Sequence, residues 1–283
     1  MLFRSALLLS VAVEFWYVPS LKDRARRELT RSTQTLVNAV RASASVAVRN
    51  HLQAIAEANR EIVRQHLGMV ERGVMTRDEA MARIRTILLS QKVGSSGYIY
   101  AVDSQAEVPL HPFPEIQGID ASAFAFVREQ TARKEGYIEY DWQNPGEAST
   151  RPKALYMVYI EELDWILSVS SYKSEFHELL DPEDLRDVVL SVRFGESGYA
   201  FVLSLTGDVL VHPALAGVNI YLQDELSSGP LDQMLKRRSG TIEYDWQNPQ
   251  DPQPRRKIAV FETLAEYGWI VASSAYLDEV LQP

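Results

Sequence analysis

The side chains in this sequence that could do chemistry are phenols, imidazoles, indoles and lysine amines, and they fall into two sets. The first is Tyr100, His111, Tyr140, Lys153 and Tyr172, with Trp142 and Phe126 beside them. The second is His212, Tyr244, Trp246, Lys257 and Tyr276, with Phe201 where the first has Tyr100. These are hydrogen-bond donors and aromatic walls. A few such donors, converging inside a desolvated and otherwise apolar pocket, are what a small anion needs, because charge-assisted hydrogen bonds carry most of the discrimination there. Hydrolytic and metal chemistry read poorly. The five histidines are scattered, no cysteine is present, and no His-x-x-x-His, Gly-x-Ser-x-Gly or phosphate-loop motif occurs. Neither an enzyme nor a cofactor is expected. Each candidate also has a structural reading: a His-Pro turn with a satisfied imidazole, aromatic residues at strand spacing that are simply core, and a Lys153 solvated beside Arg151.

The two sets are in register with each other. IEYDWQNP occurs at Ile138 to Pro145 and again at Ile242 to Pro249, displaced by 104 residues. Gly97-Tyr98-Ile99-Tyr100-Ala101-Val102 matches Gly198-Tyr199-Ala200-Phe201-Val202-Leu203, and His111-Pro112 matches His212-Pro213, both at an offset of 101. Gly118 pairs with Gly217, Lys153 with Lys257, Trp165-Ile166 with Trp269-Ile270, and Tyr172 with Tyr276. A period of about 100 residues is too long for a solenoid unit and describes two tandem domains.

Alternation of apolar and polar residues predicts the elements that hold these side chains. In the octapeptide Ile138, Tyr140 and Trp142 share one face and Glu139, Asp141 and Gln143 the other, until Asn144-Pro145 stops the strand. Further strands are expected at Tyr98 to Val102, Val108 to His111, Lys153 to Ile160 and Trp165 to Tyr172, giving five in each copy. The excursion from Pro112 to Glu135 contains a helical patch, Phe124 to Lys134, and a connection that long reads as a lid or binding segment. Upstream, Leu21 to about Val70 has no proline and the composition of a long helix; Val48, Ile55, Ile62 and Met69 recur every seven residues, with Leu52 between the first two. That stripe packs on its own domain, and its upper part is also suited to pairing with a second copy as a homodimer. Thr76 with Glu79 makes a capping box for a shorter helix to about Ser90, and Pro182 opens a helix ahead of the second copy.

At the N-terminus, Leu2 to Val18 is a mostly apolar run interrupted by Arg4 and Glu14 and ended by Pro19. It reads as a membrane anchor or signal anchor over residues 1–19, although Lys22, Arg24, Arg26 and Arg27 follow it on what would be the outer side. A net charge of -9, with no basic stretch that alternates with aromatics, removes a nucleic-acid partner. The organisation expected is therefore the anchor, a long helix over 20–73, a first module over 74–180 and a second over 181–283. Antiparallel strands with a long helix on one face and a covered groove on the other describe an α+β, PAS-like module, here twice in tandem, each a five-stranded antiparallel sheet with flanking helices.

The motif order Gly-Tyr-aromatic strand, His-Pro, Gly-hydrophobic-Asp/Asn, Gly-x-x-x-Tyr-x-Trp-x-x-Pro, Lys, Gly/Asp-Trp-Ile and a terminal Tyr resembles the Cache type 2 sensor domain, present as a double Cache over about residues 20 to 283. The first copy departs from the pattern in having Asp164 before the tryptophan, and its Gln117-Gly118-Ile119-Asp120 is less typical than Gly217-Val218-Asn219. The resemblance implies an extracytoplasmic sensor of a bacterial receptor, of chemoreceptor, histidine kinase or diguanylate cyclase type. Its modules would face the periplasm or exterior from the cytoplasmic membrane, and its ligand would be a small carboxylate or an amino-acid-like molecule. It also makes the first module membrane-distal and favours it as the ligand site, as does the extra hydroxyl of Tyr100 over Phe201. Residues after Tyr276 carry no second apolar span and no output domain. The alternative reading is a membrane-tethered small-molecule binding protein without signalling output of its own.

Overall fold

The computed structural model describes residues 18–178, 182–223, 229–249 and 251–281. The chain divides into two compact units, Ser45–Leu180, and Met1–Ala44 together with Asp181–Pro283. The apolar run expected to anchor the chain lies outside the described residues up to Tyr17. Among the described residues no helix is long and apolar enough to cross a membrane.

One helix, α1 (Val18–Glu71), contributes to both units. Its polar composition gives it little stability alone, so burial of one stripe must hold it. In the Ser45–Leu180 unit that stripe is Val48, Leu52, Ala56, Asn59, Val63 and Leu67, spaced by threes and fours as a straight helix requires. The larger apolar members contribute roughly 1.5–3 kcal/mol each. Ile55, Ile62 and Met69 of the seven-residue stripe lie half-buried on its flank. Asn59 is the polar member, and its amide is exchanged with that of Gln91 at 2.6 and 3.0 Å. Gln91 ends α2 (Arg77–Ser90), which starts in the expected capping box between Thr76 and Glu79.

The sheet of this unit comprises β1 (Tyr98–Val102), β2 (Gly136–Trp142), β3 (Arg151–Ile160) and β4 (Trp165–Tyr172), all antiparallel, in the order β1-β4-β3-β2. Helix α1 lies on the face that carries Tyr137 and Glu139: Arg49 stacks over the Tyr137 ring at 5.1 Å and Ser45 reaches Glu139 at 3.4 Å. The opposite face, with Tyr98, Tyr100, Ile138, Leu155 and Met157, is covered by the excursion and its helix α3 (Ala125–Arg133). The expected strand at 108–111 is reduced to one bridge, Ala101 to Leu110, so four strands form rather than five. Val108 N–H donates to the Ile119 carbonyl and its own carbonyl accepts from Gly118, the same bonds that Val209 makes with Val218 and Gly217 in the other unit.

The other unit repeats the plan. Helix α4 (Pro182–Leu190) precedes a sheet of β5 (Arg193–Phe194), β6 (Gly198–Ser204), β8 (Ser239–Trp246), β9 (Arg255–Leu264) and β10 (Trp269–Tyr276) in the order β5-β6-β10-β9-β8, with β7 (Val209–Val211) paired to β6. All five expected strands form here, and β5 makes a sixth. Helix α5 (Gly229–Arg237) covers the face that α3 covers in the first sheet. The terminal turn α6 (Leu277–Val280) carries Glu279, whose carboxylate takes Glu196 N–H and Ser197 N–H at 3.0 and 3.1 Å. Glu175 makes the same connection in the first unit, accepting from Ser96 N–H at 3.0 Å and Ser171 Oγ at 2.9 Å. The glycines that open β1 and β6 are forced: a Cβ on Gly97 would stand 2.1 Å from the Val93 carbonyl, and one on Gly198 2.3 Å from that of Phe194.

Asp164, the departure noted in the first copy, occupies the left-handed conformation that Gly268 adopts in the second, with φ of 52° against 68°. The cost of a Cβ there is offset by the carboxylate, which accepts from Ser104 Oγ at 2.6 Å and Tyr159 Oη at 2.8 Å. Asp164→Ala keeps the strain and loses these bonds, so it is expected to destabilise the chain by about 1–3 kcal/mol in denaturant melts. Asp164→Gly, which removes the strain as well, costs less than Asp164→Ala; equal losses would contradict this account.

Candidate ligand-binding site

Between the sheet and the excursion of the Ser45–Leu180 unit lies a cavity of about 100 Å³. Tyr98, Tyr100 and Val102 of β1 and Tyr140 and Trp142 of β2 form its floor; Val108, His111, Ile116, Ile119, Ala121, Phe124, Phe126 and Val127 form its walls. The corresponding space in the second unit is about 30 Å³, lined by Tyr199, Phe201, His212, Met234, Tyr244, Trp246 and aliphatic side chains. An apolar cavity of about 150 Å³ holds benzene, so the first has room for a guest of roughly four to six non-hydrogen atoms and the second for little beyond water.

Of the first set of candidates, Tyr100, His111, Phe126, Tyr140 and Trp142 line the cavity, and Lys153 and Tyr172 do not. Lys153 is fully buried, its ammonium 3.7 Å from the centroid of the Tyr98 ring and 3.3 Å from Asn144 Oδ1. Burial pulls its pKa down to about 7, against the pull of Glu147 and Glu175. Tyr172 accepts from Asn144 N–H at 3.0 Å and donates to Glu147 at 2.5 Å. The second set divides the same way: His212, Tyr244 and Trp246 line the smaller space, while Lys257 and Tyr276 stand outside it. Tyr98 and Phe124 also line the cavity, and the buried Gln130 contacts Tyr100; strand and motif reading passed over all three. Gln130 was open to detection, because its counterpart is Met234, a polar-to-apolar exchange of the kind that marks Tyr100 against Phe201.

Hydrogen bonding separates the two sites further. His212 is closed on itself: Nδ1 accepts from Ala214 and Leu215 N–H, and Nε2 meets Tyr199 Oη at 3.0 Å. Trp246 Nε1 donates to Asn248 Oδ1 at 3.0 Å. In the first site His111 Nδ1 likewise accepts, from Phe113 N–H at 3.0 Å, and burial with the nearby Lys153 lowers its pKa to about 4, so the neutral ring carries its proton on Nε2. That Nε2–H has no hydrogen-bond partner among the described residues. Trp142 Nε1 is buried and also without a partner among them; it is directed toward the Tyr98 hydroxyl but does not reach bonding geometry, and that hydroxyl donates to Asn144 at 3.2 Å instead. One buried N–H donor, the Trp142 indole, and the unpartnered His111 Nε2–H thus stand open in the first site where their counterparts are satisfied in the second. Phe126 stacks on Tyr140 at 4.2 Å and meets Trp142 edge-on at 5.5 Å, and these rings divide the cavity from an outer groove that also includes Asp141, Gln143 and Thr150.

A family model described as a Cache domain, of the dCache_2 type, matches residues 17–281. The chain belongs to the Cache domain family. Among curated relatives, the sensor histidine kinase MctS of Rhizobium johnstonii is 27% identical over 100 residues, 33% of this chain and 22% of that protein. The methyl-accepting chemotaxis protein McpA of Bacillus subtilis is 31% identical over 98 residues, 35% of this chain and 13% of that protein. The match therefore spans less than a quarter of either relative's length. Among solved structures, the periplasmic sensor domain of a chemotaxis protein aligns with a TM-score of 0.40 and 24% identity, over 44% of this chain and 94% of that one. The ligand-binding domain of Mlp24 with asparagine aligns with a TM-score of 0.35 and 13% identity, over 93% and 97%. The fold is that of an α+β Cache sensor, and the Cache membership carries signal transduction and ligand binding with it as the family's business.

The second Cache module holds a buried amine that its fold does not satisfy. Lys257 Nζ is fully buried without a hydrogen-bond partner among the described residues, lying over the rings of Tyr199 and Tyr276 at 3.6 and 4.5 Å. Burial lowers its pKa from 10.5 to about 7, against the pull of Asp251. Between pH 7 and about 10 the unfolded chain holds a proton that the folded chain has released, so this group makes stability rise with pH across that window. Below pH 7 both states hold the proton and the folded state bears the full burial cost. Lys257→Met is expected to raise the melting temperature most below pH 7, by a few degrees, with a gain that shrinks toward pH 9. A gain independent of pH would show that folding leaves the proton affinity of this amine unchanged.

Proposed function

We propose that the chain is the sensing region of a bacterial transmembrane receptor and that its ligand, a small carboxylate, binds in the cavity of the first module, residues 74–180. The observation that carries this reading is the pair of open donors, His111 Nε2–H and Trp142 Nε1–H, in a cavity of about 100 Å³ whose counterpart in the second module is closed. A carboxylate accepts from both, and the Lys153 amine behind Tyr98 supplies a positive charge one ring away. No acidic side chain lines the cavity, so no carboxylate there pairs with an ammonium group, which favours a simple acid over an amino acid. Tyr100, Tyr140 and Phe126 shape the rest. In this reading the N-terminal run is the anchor, the first module is membrane-distal, and the half-buried flank of α1 at Ile55, Ile62 and Met69 is where two chains pair. The ligand acts by preferring one arrangement of the excursion over another, since only differential affinity moves such an equilibrium.

Titration calorimetry of the full chain with propanoate tests it. Trp142→Phe, which deletes one donor and keeps the ring, is expected to weaken binding roughly 10-fold or more, as is usual for a hydrogen bond to a charged group. Trp246→Phe is expected to leave affinity unchanged, and the opposite pattern would place the ligand in the second module. A bound carboxylate raises the Lys153 pKa from about 7, so binding takes up protons and weakens as pH rises through that value. Calorimetry in buffers of different ionisation enthalpy reads that uptake, and proton release would count against the lysine's part.

A further inference from the structure

The cavity of the first module and the groove outside it are bounded by the same rings: Phe124, Phe126, Tyr140 and Trp142 line both. The cavity holds about 100 Å³ and the groove about 590 Å³, so a chain that outgrew the first would find ample room in the second. Phe126, in the first turn of α3, is the ring that touches the other three. It stacks on Tyr140 at 4.2 Å with 18° between the planes, meets Trp142 edge-on at 5.5 Å and lies 5.8 Å from Phe124. Tyr140 and Trp142 are fixed in β2, which pairs with β3 along its whole length, and Phe124 is 40% exposed. Phe126 is therefore the partition between the two spaces.

Packing the helix on the sheet does not require an aromatic ring at this position. Helix α5 covers the same face of the second sheet with Pro230 there, one turn before Met234 as Phe126 is one turn before Gln130. The two helices are in register, since the Gln130 and Met234 carbonyls accept from Lys134 and Arg238, the left-handed residues that follow them. Pro230 is buried against the smaller space, and a ring closed on its own backbone has no rotamer that opens a passage. The groove beyond Phe126 also sorts what enters it. Its aromatic walls suit an apolar chain, and Asp141, the one charged residue among the described residues that line it, repels a second carboxylate. We propose that Phe126 is the chain-length determinant of the first module, turning away monocarboxylates whose chain outgrows the cavity. The carboxylate takes the His111 and Trp142 donors, the chain fills the cavity as far as the Phe126–Tyr140 stack, and that stack denies it the groove. Without the ring, cavity and groove form one elongated site for a longer-chain monocarboxylate. This role rests on the first cavity being the carboxylate site.

The test is calorimetric comparison of propanoate and octanoate on the full chain. The wild type is expected to bind octanoate roughly 10-fold or more weakly than propanoate, because extra methylenes forced into a packed interior displace what surrounds them. In Phe126→Ala the preference is expected to reverse, since each methylene received against an apolar wall tightens binding roughly 4-fold. Phe126→Leu, which loses the ring and keeps an apolar side chain, is expected to shift the ratio the same way by less. It keeps the test readable if circular dichroism shows Phe126→Ala to be misfolded. Ile116→Ala enlarges the cavity at a residue that does not line the groove, and is expected to retain the wild-type preference. Equal binding of the two acids by the wild type, a ratio indifferent to both Phe126 variants, or an equal reversal in Ile116→Ala overturns the role of Phe126 while leaving the carboxylate site standing. Binding of neither acid by any of these chains removes the carboxylate site, and this inference with it.

Discussion

The arrangement of each module depends on one asparagine near the end of the octapeptide, buried in the first and half-buried in the second. Asn144 is 5% exposed; its side-chain oxygen accepts from Tyr98 of β1 and Lys153 of β3, and its backbone N–H donates to Tyr172 of β4. Three strands are thereby fixed to the point where β2 ends. Asn248 does the same work with a different allocation, taking Tyr199 and Trp246 on its oxygen and giving a side-chain N–H to Tyr276 at 2.8 Å. Burial of such an amide is tolerable only because its hydrogen-bonding capacity is used. That is why eight residues survive intact in both copies: Ile138, Tyr140 and Trp142 face the cavity side, and the residue after Gln143 closes the sheet behind them.

The difference in allocation has chemical consequences. Where the asparagine oxygen serves the lysine, the indole is left open toward the cavity; where it serves the indole, the lysine is left without an acceptor. One module thus leaves an indole N–H beside the cavity, and the other leaves a lysine amine deep beside two tyrosine rings. A single scaffold produces a roomier cavity and a nearly filled one.

Much of this was legible in the sequence, and for identifiable reasons. Strand alternation placed Tyr140 and Trp142 on the inner face, the capping box located α2, and the duplication matched the elements of one copy to those of the other. Candidates chosen by residue type were harder to place. Lys153 and Tyr172 recur with His111 because all three belong to the fold's own hydrogen-bond scheme, and sequence periodicity does not tell a side chain beside a cavity from one behind its wall. The strand at 108–111 was overextended because only Leu110 pairs with β1 there, a difference from the second copy that alternation does not show. Gln130 escaped because a glutamine in a short surface-patterned helix looks solvated, whereas here it is fully buried.

The carboxylates of Glu175 and Glu279 bear on how such a chain arose. Each joins the turn following its sheet's last long strand to the turn just ahead of Gly97 or Gly198, so the polypeptide enters and leaves each sheet at neighbouring points. A segment whose two ends meet can be copied and spliced behind an existing helix without disturbing what lies on either side. Such a cassette is free to drift after duplication, and a gene that doubles it obtains a spare cavity on which selection can act while the original keeps working.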